Sequence, residues 1–507
     1  MNAIFLVFPV LLPILFGAVL PLFHFQKKQQ RELYVMAVVI LNTLLTYYLI
    51  FRMPAEAVFT VFYLTKSLTV SFRMDGLSRV FAGLVAGLWP FATLFAFEYM
   101  RHEGRENSFF AFYTMTFGVT MGIACSANLM TMYLFYELLT LITLPLVMHS
   151  MDHKSIRAGI KYLKYSIGGA AFAFMGFILL NYYAGSNQFA EGGILLPKGI
   201  SAEQTPILLM AYVMMFFGFG VKAAVFPFHG WLPSASVAPT PVTALLHAVA
   251  VVKSGVFAIM RVTFYSFGSR FLIGTWAQYI PLGFAIATIV YGSAMAVREQ
   301  HIKRRLAYST VSNLSYILFG VTLMTPAGLA AGLLHMIFHG VMKIALFFCA
   351  GAIMHQTKSE YIYEINGYGK QMKKVFAVFL VASLSLVGVP PLAGFASKWW
   401  LAAAGVAGGI SYASSQTGRV LAYLGVGALL LSALLTAIYL FTILIRAYFP
   451  SFVTADGKEE KSAGKTIVSD PNWYMILPLV LFAVAVVAFG LGQKEFYDLF
   501  CRITQGL

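Results

Sequence analysis

Fourteen apolar runs, each about twenty residues long and almost free of charge, follow one another along this 507-residue chain. A helix of that length spans the ~30 Å hydrocarbon layer of a bilayer, because each residue advances ~1.5 Å. Backbone groups in hydrocarbon must satisfy one another, so the expected fold is an all-α polytopic membrane protein. The runs lie near 3–23, 33–51, 77–98, 109–126, 129–149, 161–183, 207–227, 242–263, 273–297, 305–325, 329–355, 374–404, 420–446 and 474–491. Residues 61–73 (VFYLTKSLTVSFR) alternate polar and β-branched types instead, which predicts an extended hairpin outside the membrane. The first run has neither the cationic start nor the small-residue cleavage site of a signal peptide and is expected to remain as a span. No lateral helix is expected after the fourteenth run.

The formal charge of +16 raises the question of nucleic acid. Of the 35 Lys and Arg residues, however, 21 fall in loops 24–32, 99–108, 150–164, 298–305, 356–374 and 446–472, ten lie on the other side, and four lie inside spans. That alternation is the positive-inside bias of membrane topology, so no nucleic-acid partner is expected. Both termini are then expected on the extracytoplasmic side, in a bacterial or archaeal cytoplasmic membrane. Cys125, Cys349 and Cys501 are too scattered for a disulfide framework or a paired metal site.

Charges at membrane depth cost several kcal/mol and are functional candidates by default. Five stand out: Glu137, Lys222, Lys253, Lys343 and Lys398. A lysine can release its proton when desolvated and hold it when a carboxylate approaches, so Glu137 with Lys222 would form a switchable site. His335, His339 and Lys343 recur at i, i+4 and i+8 and share one helix face over ~12 Å, a spacing suited to passing protons. The HxxxH lacks a third ligand and the glutamate of zinc proteases, so no metal is expected. His247 is either a relay member or a satisfied core histidine.

Two spans carry breaks. Pro227 and Pro233 follow Lys222, and Pro390, Pro391 and Gly394 precede Lys398. The breaks fall in the seventh and twelfth spans, five apart, as expected if spans 4–8 and 9–13 are two repeated halves of a transporter. The expected organisation is three N-terminal spans with an extracytoplasmic hairpin (1–108), a first five-helix repeat (109–263), a second (273–446), and a cytoplasmic loop with the final span (447–507).

Four long segments, FPFHGWLPSASVAPTPVTALLHAVAVVKSGVFAIMR (226–261), IKRRLAYSTVSNLSY (302–316), LLHMIFHGVMKIALFF (333–348) and GVPPLAGFASKWW (388–400), resemble one family. It is the antiporter-like subunit family shared by respiratory complex I, the Mrp multisubunit sodium/proton antiporters and the membrane-bound energy-converting hydrogenases. The resemblance extends from about residue 70 to 450. It implies fourteen helices with inverted five-helix repeats and a polar axis through the membrane centre. By match to the family motifs, Glu137 would be the fifth-helix acid, and Lys222, Lys253 and Lys398 the seventh-, eighth- and twelfth-helix lysines. His335, His339 and Lys343 fall on the family's central histidine–lysine stretch. The chain departs from the pattern of many members at Ser234 and His301, which replace acids, and at Gly169, where some long complex I subunits carry an aspartate. It looks closer to the shorter members, such as the Mrp D-type and hydrogenase-associated subunits.

The function expected is proton translocation within a larger complex of membrane subunits, homologous antiporter-like subunits among them. One glutamate offers few oxygen ligands for sodium, which leaves sodium a secondary expectation. The alternative is an autonomous secondary sodium/proton or solute transporter. No redox or hydrolytic site and no cofactor is expected in this chain, so any driving reaction belongs to its partners.

Overall fold

The computed structural model describes residues 2–23, 25, 27–65, 68–196, 199–411, 415–450 and 468–506. Among them, ten helices are long and apolar enough to cross a membrane, and the chain is a polytopic α-helical membrane protein. The expected basic loop at 446–472 lies largely outside the described residues, with Lys458, Lys461 and Lys465.

The chain opens with α1 (Phe8–Val19) and α2 (Lys28–Arg52). Strands β1 (Val58–Tyr63) and β2 (Thr69–Arg73) then pair antiparallel, from Val58 opposite Arg73 to Tyr63 opposite Thr69, with an irregularity between Thr60 and Phe62. This is the expected hairpin, begun three residues earlier. Helices α3 (Gly76–Met100), α4 (Glu106–Ala124), α5 (Leu129–Val147) and α6 (His153–Ala184) follow. Side-chain caps fix three of these starts: Asp75, Asn128 and Asp152 accept from the N–H groups of Ser78, Thr131 and Ser155. Asn128 also donates to Thr69 and Ser71, pinning β2 to the start of α5.

The seventh expected span is interrupted earlier than its prolines suggest. Helix α7 (Thr205–Gly220) stops before Lys222, and the chain turns through 221–227 before the short α8 (Trp231–Ser234). The eighth span, expected to be continuous, is also divided. Helix α9 (Thr240–Ala248) and α10 (Val251–Arg261) meet at Val249 and Ala250, whose dihedrals leave the regular helix. Gly255 lets α10 approach the turn after α7 closely, since a Cβ there would lie 2.5 Å from the Ala223 nitrogen.

After the short α11 (Ser269–Leu272) come α12 (Trp276–Arg298), α13 (Ile302–Thr322) and the 32-residue α14 (Pro326–Thr357). The twelfth expected span is α15 (Lys373–Val387) and α16 (Ala393–Ser411), separated at Pro390 and Pro391. Gly394 permits that geometry, because a Cβ there would sit 1.7 Å from the Ser385 carbonyl oxygen. Helices α17 (Gln416–Tyr448) and α18 (Trp473–Leu491) lead to α19 (Gln493–Thr504), an amphipathic helix that the sequence analysis did not anticipate.

Burial places these elements radially. Every residue of the apolar stretch across α9 and α10 is buried, as are nearly all in that of α14, whereas fewer than half are buried in those of α1, α2 and α6. The central helices therefore carry Lys253, His335, His339 and Lys343 away from lipid.

Candidate functional site

Glu137 lies on α5 with its side chain 28% exposed, and its Oε1 is 3.9 Å from the Nζ of Lys222, which is 1% exposed. Lys222 sits in the irregular turn after α7, donates to the Tyr136 carbonyl, and lies 3.4 Å from the centroid of the Tyr136 ring. A carbonyl, a carboxylate and a π face thus share one buried ammonium.

A second group forms where α10 meets α14. Lys253 Nζ is 3.0 Å from His339 Nδ1, and both side chains are fully buried. His339 stacks on His335 at a centroid separation of 5.7 Å. His335 Nδ1 is 2.9 Å from Ser397 Oγ, and its ring also stacks on Tyr316 at 5.2 Å. Lys398 completes the row: its Nζ lies 5.4 Å from the Tyr316 centroid and donates to the carbonyls of Leu386 (2.7 Å) and Val387 (3.1 Å). Those carbonyls belong to the last turn of α15, whose continuation the break at Pro390 and Pro391 removes.

Not every expected residue joins this row. Lys343 shares the face of His335 and His339 but donates to the Leu306 carbonyl at 3.0 Å. His247 stacks on Phe347 at 4.8 Å, and neither of its ring nitrogens has a hydrogen-bond partner among the described residues. Lys222 and Lys253 direct their hydrogen bonds to Tyr136 and His339, so the two groups are not joined directly. Pro227 ends the turn and Pro233 lies within α8, both beyond the point where α7 has already ended.

Several buried charges lie where the sequence places loops or span ends. Lys303, 4% exposed, donates to the Ala238 carbonyl at 2.8 Å. Arg305 donates to the carbonyls of Glu299 and Tyr439, each at 2.8 Å. Arg261 makes a two-pronged ion pair with Asp75 at 2.6 and 2.7 Å and also donates to Ser78. Burial pushes the Asp75 carboxyl up, but Arg261, Arg73 and the Ser78 N–H together hold it well below the usual carboxylate range. At the start of α13, His301 is pushed down to about 4 by burial and by the cations Lys303 and Arg304, with Glu299 opposing. The signal for Lys303 was present: its spacing within IKRR places it one residue into a helix that begins at Ile302, three residues before the expected span.

A polytopic helical bundle with a buried row of lysines and histidines, flanked by two broken helices, defines the class of membrane ion-handling subunits. The chain belongs to the family described as NADH:quinone oxidoreductase/Mrp antiporter, whose transmembrane model matches residues 126–424. Residues 63–110 match a second model, described as the N-terminus of NADH-ubiquinone oxidoreductase (complex I) chain 5. NADH-quinone oxidoreductase subunit N of Desulforudis audaxviator is 30% identical over 83% of this chain and 82% of its own. Na(+)/H(+) antiporter subunit A1 of Staphylococcus haemolyticus is 28% identical over 95% of this chain, which spans only 60% of that protein's length. Among solved structures, a chain of the membrane-bound sulfane sulfur reductase, an archaeal respiratory membrane complex, superposes with a TM-score of 0.83 at 19% identity, covering 99% of this chain and 97% of that one.

Proposed function

We propose that this chain is a proton-translocating, antiporter-like subunit of a larger membrane complex, carrying protons along Glu137, Lys222, Lys253, His339, His335 and Lys398. The observation that carries the reading is the Lys253–His339–His335–Ser397 sequence, in which each polar group lies against the next and all four side chains are fully buried. An ammonium facing an imidazole nitrogen can pass its proton and take one back, because both groups are titratable. The second ring nitrogens of His335 and His339 have no partner among the described residues, which suits them to water.

At 3.9 Å the gross attraction between Glu137 and Lys222 is on the order of 4 kcal/mol at an effective dielectric of ~20. Lengthening that separation would release Lys222 from the carboxylate and lower the cost of its losing a proton. Lys343 and His247 are assigned as side stations off the main row, since their contacts turn away from it.

The reading extends to fourteen crossings. Helices α4, α7, α13 and the α15–α16 pair are added to the ten long apolar spans, and spans 4–8 and 9–13 are taken as inverted repeats. Segments 1–108, 109–263, 273–446 and 447–507 are its units, the membrane is a bacterial or archaeal cytoplasmic membrane, and both termini lie outside the cytoplasm. Partners are other membrane subunits, homologous antiporter-like subunits included, with the driving reaction on those partners. Support for the partners comes from relatives that are themselves named as subunits.

The test is proton uptake by proteoliposomes containing the intact complex, comparing wild type with Glu137→Ala, Lys222→Ala and Lys398→Ala at matched assembly. Uptake should fall at least tenfold in each variant. Undiminished uptake in all three sinks the proposed row. Sodium/proton or solute exchange by the purified single chain would instead establish an autonomous transporter.

A further inference from the structure

A groove of about 670 Å³ opens through the side of the molecule between α6, α7 and α12, well apart from the Lys253–His339 row. Phe172, Val213, Phe217 and Phe284 form its walls, and its depth reaches Val221 and Pro227 on either side of the irregular turn that carries Lys222. Pro227 is exposed there, and Phe226 and Phe228 are half-buried. Irregular backbone at membrane depth persists only where something covers it or where it lines a wet cavity. An almost wholly apolar wall does not hold water well, so the occupant that suits this groove is itself apolar.

The charge beside the groove identifies the other end of that occupant. On α6, residues 154, 157, 161, 164, 168 and 172 recur every three or four positions and therefore share one helix face. Lys154, Arg157 and Lys164 are exposed on it, Lys161 donates to Ser234 Oγ at 2.9 Å, and Gly168 and Phe172 then line the groove. Within two turns one stripe passes from four cations to open apolar wall. The nearby carboxylate Asp152 is engaged in capping α6 through the Ser155 N–H at 2.6 Å. Topological charge bias accounts for the number of cations on this side of the chain but not for their alignment with the groove.

We propose that this groove binds an anionic phospholipid, with its phosphate held by Lys154, Arg157 and Lys164 and one acyl chain laid over Gly168 and Phe172 against the interrupted α7. Cationic side chains at the end of an interhelical apolar groove are the arrangement that selects acidic headgroups. The lipid seals the turn beside Lys222 from the hydrocarbon side. The inference concerns binding and stands independently of whether protons move through the chain.

The test is native mass spectrometry of the purified, delipidated full chain titrated with dioleoylphosphatidylglycerol or dioleoylphosphatidylcholine. Wild type should bind the anionic lipid at least tenfold more tightly than the zwitterionic one. The double variant Lys154→Gln, Lys164→Gln should lose most of that preference, and its binding of the zwitterionic lipid should not change. Gly168→Leu should weaken binding of both lipids at least fivefold; nothing lies within 4 Å of a Cβ built at Gly168, so the leucine fills the groove without a clash. A wild type that does not distinguish the two lipids, or variants that bind the anionic lipid as wild type does, would overturn the proposal. In the assembled complex, a photo-crosslinker placed at Phe172 should capture lipid. Capture of a neighbouring subunit alone would show that protein, not lipid, covers this face.

Discussion

Partners decide which buried lysines can hand a proton directly to another side chain. Lys343 and Lys398 donate to backbone carbonyls, which accept a hydrogen bond but cannot take a proton, so the proposed step at Lys398 requires water. Lys253 faces a histidine nitrogen and Lys222 the Glu137 carboxylate, both groups that can accept one. The five charges deep in spans were legible in the sequence because an ion amid twenty apolar residues is costly and stands out, even where, as at Lys343, it proves to contact a backbone carbonyl. Lys303, Arg261 and Asp75 were not, because at a span end the same residue reads as a loop charge, and only the three-dimensional path reveals its burial. Contacts were legible only as periodicity: His335 and His339 do stack, but Lys343 on the same face turns to Leu306. His301 yields a pH prediction. Its folded-state value of about 4 lies below the ~6.5 of a free histidine, so between those limits the unfolded chain binds the extra proton. The exposed Glu360 carboxylate 3.5 Å from its ring is screened by solvent and offsets little. Stability contributed by neutral His301 is therefore complete above pH ~6.5 and falls by about 3 kcal/mol as pH drops to about 4. His301→Gln removes this contribution, so thermal unfolding in detergent should lose less stability than wild type between pH 7 and 4.5. Parallel pH profiles for the two proteins would refute the assignment.

Elements meet at the Asp75–Arg261 pair. Asp75 caps α3, follows Arg73 at the end of β2, and holds Arg261 at the end of α10, so one carboxylate locks the hairpin to two helices. Removing one partner of a buried pair leaves an uncompensated charge and costs about 3–5 kcal/mol, whereas replacing both by apolar groups costs far less. Asp75→Ala should therefore lower thermal stability sharply, and adding Arg261→Met should recover most of the loss. If the double variant unfolds at the temperature of Asp75→Ala or lower, the stranded guanidinium is not the cause. Legibility at this scale follows backbone chemistry. A break near Pro227 and one at Pro390–Pro391 were visible because proline removes a backbone donor and crowds the preceding turn, although α7 ends before Pro227 is reached. The division between α9 and α10 falls in the sequence HAVAVVK, which has neither proline nor glycine to mark it. Helix α19 was missed because its apolar residues alternate with charges over only twelve positions, too short and too polar to read as a span.

Across the whole molecule, the basic residues carry the topology. Lys and Arg number 21 in one set of loops and ten in the other, a two-to-one bias that follows from the cost of moving cations through the bilayer during insertion. On the proposed fourteen crossings, that bias would put both ends of the chain opposite the basic loops. The loop containing Gly104, between α3 and α4, would then face the cytoplasm, as would the loop between α5 and α6 that supplies Asp152 and Lys154. The prediction separates crossing number from orientation. Alkaline phosphatase fused after Leu507 should be active, and green fluorescent protein fused there should be dark. The same reporters inserted after Gly104 should behave in reverse. Exchange of both pairs of results would invert the orientation. Agreement at Gly104 with failure at Leu507 would instead mean an even number of crossings beyond α3. In that case either α7 with its turn or the α15–α16 pair re-enters on the side it left, because these are the elements whose helices stop short of a full membrane thickness.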